Sequence, residues 1–324
     1  MTAAPGVVAV VGEALVDLVQ AGPEPRFDGF VGGSPANVAV GLARLGVPVR
    51  LAARIADDLL GRRIRRHLEA NGVDLSHAVA AREPSTLALV AIGPDGSAEY
   101  DFRVAGTADW QWHDGEVSSA LDASVVAVHS GSLALALAPG GDVVLDALSR
   151  ARRSATISYD PNCRPLLMGT PDEMRARIDR TLALADVVKA SSADLDWLYP
   201  GTPPEQVAEE WLERGPAIVA ITLGGDGVVA TARAAGVVRS PGRAVTVADT
   251  IGAGDAFTST LLAGLGRRSL LGAASREALH RVGASALGEV LHEAVLASAL
   301  TCTRRGAEPP TAGELAEHLD LVAE

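Results

Sequence analysis

The spacing of apolar residues alternates between two periods along the chain. Short β-branched runs predict buried strands at 7–12, 49–55, 125–131, 155–160, 186–191 and 217–224. Between them, apolar positions at helical spacing predict helices at 35–46, 57–72, 140–153, 171–185 and 204–215. Strands that alternate with helices in this way indicate an α/β fold, in which a mostly parallel central sheet with right-handed crossovers is flanked by helices.

Two segments break this alternation. Residues 85–104 hold two strand-like runs around the turn sequence GPDGS, which is a hairpin signal. Residues 13–34 lack helical periodicity. Together, residues 13–34 and about 85–112 predict a small β-sheet lid, inserted into a single α/β domain that spans residues 1–324.

Composition and charge narrow the classes of function. Hydrophobic residues make up 48% of the chain and aromatic residues 3%, so the core is expected to consist mainly of Ala, Val and Leu. A formal net charge of −12 argues against a nucleic-acid partner, which usually meets a basic face. Cys163 and Cys302 lie far apart, so neither a disulfide framework nor a metal cluster is implied and a cytoplasmic location is expected. Because Glu13 and Asp17 interrupt the first apolar run, we expect no signal peptide and no membrane partner.

Polar and glycine-rich clusters follow the predicted strands. They comprise Asp17, GGSPAN (32–37), SYDPNCR (158–164), KASSAD (189–194), TLGGDG (222–227) and DTIGAGD (249–255). Ligands of open parallel sheets bind beyond the C-terminal ends of the strands, so these clusters predict one binding site at that edge. The chain lacks a GxxxxGK[ST] loop and a GxGxxG after its first strand, so a Walker-type NTPase and a dinucleotide-binding oxidoreductase are both unsupported.

The stretch VADTIGAGDAF (247–257) places Gly252, Ala253 and Gly254 before a lone acid, Asp255, and an apolar helical run. Small residues at a helix start expose backbone N–H groups, and the helix dipole favours an anion there. A carboxylate beside that anion can orient a hydroxyl and accept its proton. On the residues alone, an anion hole with an attached base and an ordinary helix start both remain open.

Two longer stretches carry a family resemblance. GGSPANVAVGLARLG (32–46), combined with DTIGAGDAF (249–257), resembles the two signatures of the ribokinase-like sugar kinases, the PfkB family, and the similarity runs over essentially the whole chain. GEALVD (12–17), HSGSLALALAP (129–139), YDPNCRPLLM (159–168) and CTRRGAEPPT (302–311) look most like bacterial fructokinases. The resemblance implies the ribokinase-like three-layer fold and transfer of the γ-phosphoryl of ATP to a sugar hydroxyl, with fructose as the first candidate. Asp255 would be the general base, and the backbone of Gly252, Ala253 and Gly254 the anion hole.

The resemblance also implies the other site residues. On the sugar side these are Asp17, Gly33, Asn37, Tyr100, Phe102, Arg103 and Arg164; on the nucleotide side, Lys189, Asp194, Thr222, Gly224, Gly227, Ala299 and Cys302. Mg²⁺ would accompany ATP, and carbonyl groups of Asp249 and Ile251 would hold a monovalent cation such as K⁺. One departure is SSAD (191–194), which stands where the family often has NxxE and leaves the role of Asp194 open.

Several alternatives stay open. Within the family, a 2-keto-3-deoxygluconate kinase or another sugar or nucleoside kinase shares these features. A catalytically silent sugar or nucleotide sensor is favoured only by the altered SSAD stretch. A lid with free strand edges and the apolar residues Val16, Leu18 and Val19 also predicts a homodimer that forms through the lid.

Overall fold

The structure is a computed structural model that describes residues 6–20, 26–92 and 98–320, without the side chains of 92, 98–100 and 320. Its strands are Val7–Val11 (β1), Leu15–Gln20 (β2), Phe27–Gly32 (β3), Val49–Ala52 (β4), Arg54–Ala56 (β5), Val79–Ala81 (β6), Leu87–Ile92 (β7), Ala98–Arg103 (β8), Val125–Gly131 (β9), Thr156–Asp160 (β10), Val187–Ser191 (β11), Ile218–Thr222 (β12), Gly227–Ala232 (β13) and Gly236–Pro241 (β14). Its α-helices are Ser34–Arg44 (α1), Leu59–Ala70 (α2), Ser132–Ala136 (α3), Gly140–Ala151 (α4), Pro171–Leu182 (α5), Ser192–Leu198 (α6), Pro204–Leu212 (α7), Ala253–Arg267 (α8), Arg276–His280 (α9), Ala284–Cys302 (α10) and Ala312–Asp320 (α11). None of the helices in these described ranges combines the length and the apolar character that a bilayer span requires.

The main sheet has the strand order β14-β13-β12-β11-β10-β9-β1-β4. Strands β4, β1, β9, β10, β11 and β12 run parallel to one another, and β13 and β14 add an antiparallel edge. The predicted α/β class with a mostly parallel sheet is therefore confirmed. The pattern did not predict β13 and β14, which follow β12 without a helical crossover and so pair back on it as antiparallel strands.

Helices cover the main sheet on both faces because successive strand residues point to opposite sides. Val10 of β1 packs with Val38 of α1 on one face, while Val11 packs with Val144 and Leu148 of α4 on the other. Along β12, Ile218 faces the α8–α10 layer, and Val219 faces the layer that contains α7. The result is the predicted three-layer arrangement of helices, sheet and helices.

A second, four-stranded sheet has the order β3-β2-β7-β8 and falls within the predicted lid segments 13–34 and 85–112. Strands β7 and β8 pair antiparallel, as the hairpin signal predicts, although residues 93–97 of its turn lie outside the described residues. One face of this sheet packs on its own chain: Val16 is buried in a cluster with α1, and Leu18 packs against that cluster. This contact already covers two of the three apolar residues that suggested a dimer contact.

Candidate active site

A cleft of about 570 Å³ is lined by residues of both sheets. From the second sheet, Asp17, Ala88 and Phe102 stand in register across β2, β7 and β8 and line the cleft side by side. From the main body come the segments that follow β1, β9 and β10 and the segment that leads into α8. The cleft thus lies at the C-terminal edge of the parallel strands, where the polar clusters predicted a site.

Asp255 lies on the first turn of α8 and is 9% exposed. The Ser34 hydroxyl donates to its Oδ1 at 2.7 Å, and Asn37 Nδ2 donates to its Oδ2 at 2.8 Å. Both donors lie at the start of α1, three residues apart and therefore on one side of that helix. The carboxylate is consequently held in a fixed orientation in the wall of the cleft.

Two glycines keep the start of α8 open. Gly252 has φ +77°, and a Cβ atom there would lie 2.6 Å from Ala307 Cβ, so both the backbone conformation and the space require glycine. A Cβ atom on Gly254 would lie 2.7 Å from Lys189 Nζ. Ala253 N donates to the Thr250 carbonyl at 3.3 Å, whereas Gly252 and Gly254 line the cleft. The start of a 15-residue helix, next to an ammonium group, is electrostatically favourable for an anion.

Lys189 makes a buried ion pair with Asp160, with 2.9 Å between Nζ and Oδ2. Their side chains are 5% and 2% exposed. Burial alone lowers the pKa of Lys189, but the charges of Asp160 and Asp194 outweigh burial and raise that pKa above its ordinary value. Lys189 therefore keeps its positive charge beside Gly254.

Both carboxylate oxygens of Asp194 accept hydrogen bonds from the chain itself. Its Oδ2 accepts hydrogen bonds from Ser191 N at 2.8 Å and Ser191 Oγ at 2.7 Å, and its Oδ1 accepts one from Cys163 N at 2.6 Å. Ser191 and Asp194 thus form a capping box at the start of α6. Asp194 does not line the cleft, and its carboxylate holds the segment that carries Arg164.

Asp17 and Arg164 both line the cleft, and their opposite charges interact there. Burial raises the pKa of Asp17 to about 6, the charge of Arg164 counteracts this shift, and the charges of Asp255 and Asp249 add to it. The Arg164 guanidinium donates to Asn162 Oδ1 at 2.9 Å and to the Cys163 carbonyl at 2.9 Å. The Arg164 guanidinium therefore shares one cleft with the carboxylates of Glu13, Asp17 and Asp255.

Most predicted sugar-side residues converge in the cleft. Those that line it are Asp17, Gly33, Asn37, Phe102 and Arg164. Arg103 does not line it, because alternation along β8 places it on the face opposite to Phe102, where it is exposed and pairs with Asp101. The side chain of Tyr100 lies outside the described part of the structure.

The predicted nucleotide-side residues lie outside this cleft. Thr222 ends β12, and Gly224 and Gly227 flank the short turn that leads into β13, while Ala299 and Cys302 lie on the last turn of α10. Gly227 has φ +99°, and a Cβ atom there would lie 2.2 Å from the Ser240 carbonyl oxygen. Packing against β14 therefore explains why position 227 requires glycine.

Asp249 connects the start of α8 to the loop that follows α10. Its carboxylate accepts hydrogen bonds from Ile251 N at 3.0 Å and from Gly306 N at 2.9 Å. Ile251 itself lines the cleft. Over the described ranges, no group of three or more His, Cys, Asp or Glu side chains has an arrangement that holds a metal ion.

Three residues of the site were not singled out from the sequence. Ser34 stands inside GGSPAN and Asp160 inside SYDPNCR, so their clusters were found but their individual roles were not. Glu13 lines the cleft just beyond the first strand. An acidic residue that follows the apolar run 7–12 was the sequence feature that could have identified it.

Comparisons with known proteins agree with this geometry. The profile of the pfkB family carbohydrate kinases matches residues 7–312. A fructokinase of Rhizobium leguminosarum bv. trifolii is 36% identical over 263 residues, which cover 80% of each chain. The crystal structure of Xylella fastidiosa fructokinase with bound ATP is similar with a TM-score of 0.89 and 28% identity, covering 99% of this chain and 100% of that one. A fructokinase variant of Vibrio cholerae O395, solved with fructose, ADP and a potassium ion, has a TM-score of 0.78 and 26% identity over 99% of each chain. The chain belongs to the pfkB family of carbohydrate kinases and is an ATP-dependent sugar phosphotransferase.

Proposed function

We propose that this sugar kinase phosphorylates fructose, with Asp255 as the general base. The observation that carries the proposal is the buried Asp255 carboxylate, which Ser34 and Asn37 orient in the cleft at the N-terminus of α8. The choice of fructose as the substrate rests on the relatives, since the Rhizobium protein is a fructokinase and the Vibrio structure holds fructose.

The proposed reaction moves one phosphoryl group and one proton. The sugar hydroxyl oxygen attacks the γ-phosphorus of ATP, the bond from that phosphorus to the β–γ bridging oxygen breaks, and ADP leaves. Asp255 accepts the hydroxyl proton. Negative charge on the transferring group would meet the N–H groups around Gly252, Ala253 and Gly254, with the Lys189 ammonium beside them.

The proposed reaction uses two metal ions, Mg²⁺ and K⁺. Mg²⁺ would arrive on the ATP phosphates and keep several waters, which places little demand on protein ligands. Asp194 would contribute indirectly by holding the Cys163 backbone, since its oxygens already accept three hydrogen bonds. For K⁺ we propose the carbonyl groups of Asp249 and Ile251, and the potassium-bound Vibrio relative supports this choice of ion.

The second sheet is proposed to act as a lid over the sugar. Leu15, Val90 and Phe102 present an apolar surface to the cleft beside Asp17. Covering the sugar in this way would exclude water, so that ATP is not hydrolysed in place of transfer.

Sugar binding is expected to weaken as the pH falls below about 6, because the pKa of Asp17 lies at about 6 and a protonated Asp17 accepts fewer hydrogen bonds from sugar hydroxyls. The measurement is the sugar KM between about pH 5 and pH 8, for the wild type and for Asp17→Asn. We expect a higher KM at all pH values for the variant, with less dependence on pH. A KM for the wild type that stays flat across this range would contradict the assignment.

A homodimer through the second sheet stays a prediction. The outer strands of that sheet are β3 and β8, and Phe27 of β3 is 42% exposed. Because Val16 and Leu18 pack on their own chain, the contact would have to use strand edges and the remaining residues. Light scattering at micromolar concentration should give twice the chain mass of 33.2 kDa, and a monomeric mass would reject the dimer.

The substrate is tested by ADP release with ATP, Mg²⁺ and K⁺ against fructose, 2-keto-3-deoxygluconate, ribose, glucose and adenosine. We expect the highest kcat/KM for fructose. Turnover with the keto acid alone would keep the reaction and assign Arg164 to a substrate carboxylate. ATP binding without turnover of any compound would favour the sensor.

A further inference from the structure

Glu13 is a buried acid in the cleft that the proposed reaction does not use. It is 2% exposed and lines the cleft directly after β1. The Ser132 hydroxyl acts on this carboxyl as a hydrogen-bond donor that lowers its pKa. Its Oε2 has no hydrogen-bond partner among the described residues. A carboxylate with an unsatisfied buried oxygen lowers stability, so its presence calls for another reason.

A chain of polar contacts leads from Glu13 to Arg164. Asn162 Nδ2 donates to Ser132 Oγ at 3.4 Å, and Arg164 Nη1 donates to Asn162 Oδ1 at 2.9 Å. Ser132, Asn162 and Arg164 all line the same cleft as Glu13. The four residues therefore form one continuous polar wall.

Two members of this wall have strained backbones. Ser132 has φ +52° and Asn162 has φ +36°, both in the left-handed region that favours glycine. Such conformations persist only where the surroundings determine them, and they concentrate at ligand-binding sites. Here the hydrogen bonds of Asn162 to Asp160, Ser132 and Arg164 hold these conformations in place, and Glu13 lies beside Ser132 in the same cleft wall.

We propose that Glu13 is a positioning residue for the sugar: it fixes Ser132 and, through Ser132 and Asn162, directs the Arg164 guanidinium toward the bound substrate. This inference rests on the proposed function, because it assigns Arg164 to the sugar side of the cleft. Glu13 differs from Asp255 in that it takes no part in proton transfer. Its loss should therefore change sugar affinity far more than kcat.

Because Glu13 can carry a charge, the pH dependence of folding stability can distinguish a structural role from this positioning role. Burial raises the pKa of Glu13 to about 7, the Ser132 hydrogen bond lowers it, and Asp109 and Arg164 act in opposite directions. These groups face it from the turn at Ala108–Trp110, from α3 and from the segment after β10. Because the folded pKa lies above the ordinary value of 4.5, folding stability falls as the pH rises from that value through about 7.

The test is Glu13→Gln, which keeps the shape but cannot carry charge, so Ser132 can donate only a weaker, neutral hydrogen bond to it. We expect the sugar KM at about pH 8 to rise about tenfold, while the ATP KM and kcat change less than about threefold. We also expect a higher Tm than the wild type at about pH 8 and a smaller gain at about pH 5, since the buried charge is gone. The matched control is Glu209→Gln on the exposed side of α7, which should alter none of these values.

Each outcome decides a separate point. A raised sugar KM with an unchanged or higher Tm supports the positioning role. An unchanged sugar KM overturns it, and so does a lower Tm at both pH values, because a merely structural residue loses stability when it is replaced. If the wild type itself turns over no sugar in the same assay, the proposed function fails, whereas an active wild type with an equally active variant rejects only the role of Glu13.

Discussion

We expect Asp255→Asn to lower kcat by about 10²- to 10⁴-fold, while the dissociation constant of the sugar stays within about threefold of the wild type. The amide keeps the size of the side chain and still accepts a hydrogen bond from Ser34 or Asn37, so the first turns of α1 and α8 remain joined. It cannot accept the proton of the attacking hydroxyl. The effect is therefore expected in the chemical step and not in binding.

The measurement combines steady-state kinetics at saturating ATP and sugar with sugar binding by calorimetry. Asp146→Asn makes the same chemical change on an exposed position of α4 and serves as the control. A kcat for Asp255→Asn within about threefold of the wild type would remove Asp255 from the mechanism. A large loss of sugar binding with intact kcat would assign it to binding instead.

Lys189→Met is expected to lower the free energy of unfolding by about 3–5 kcal/mol, because it leaves Asp160 as an unpaired charge in the interior. The double variant Lys189→Met/Asp160→Asn should recover most of this loss. Asp160 of the single variant can also become neutral by taking a proton, since burial raises its pKa to about 6 even with Lys189 present. The loss should therefore be smaller at about pH 5 than at about pH 8.

Measuring kcat together with stability distinguishes a structural role of Lys189 from a catalytic one. The ammonium lies beside Gly254, where a Cβ atom would be 2.7 Å from Nζ, so it adds positive charge next to the anion site. The double variant should regain stability without regaining kcat. Urea unfolding and kcat measured on the same samples give both quantities, and a double variant with wild-type turnover would limit Lys189 to stability.

The parallel body of the fold could be predicted because each strand and helix carries its own period. Runs such as 7–12 and 217–224 are apolar enough to be buried on both faces, and the helices between the strands have clear amphipathic spacing. The antiparallel strands β13 and β14 were missed because only turns separate them from β12 and from each other, with no helix that marks a crossover.

Part of the site could be predicted from local motifs, and the rest depends on which strands are neighbours and how they pair. The two glycine-rich signatures were located, and Asn37, Arg164 and Asp255 do share one cleft. The pairing of Asp160 with Lys189 depends on β10 and β11 being neighbours, which chain order alone does not determine. Phe102 and Arg103 are adjacent in sequence but point to opposite faces of β8, and only the pairing of β7 with β8 decides which one faces the cleft.

The fate of the γ-phosphoryl group tests the central claim most directly. ATP labelled in its γ-phosphoryl is incubated with the protein, Mg²⁺, K⁺ and fructose, and the label is followed into sugar phosphate and inorganic phosphate. We expect one labelled fructose phosphate for each ADP formed, with little inorganic phosphate. Label that appears only as inorganic phosphate, or ADP formation that does not depend on fructose, would contradict phosphoryl transfer to this sugar in the cleft around Asp255.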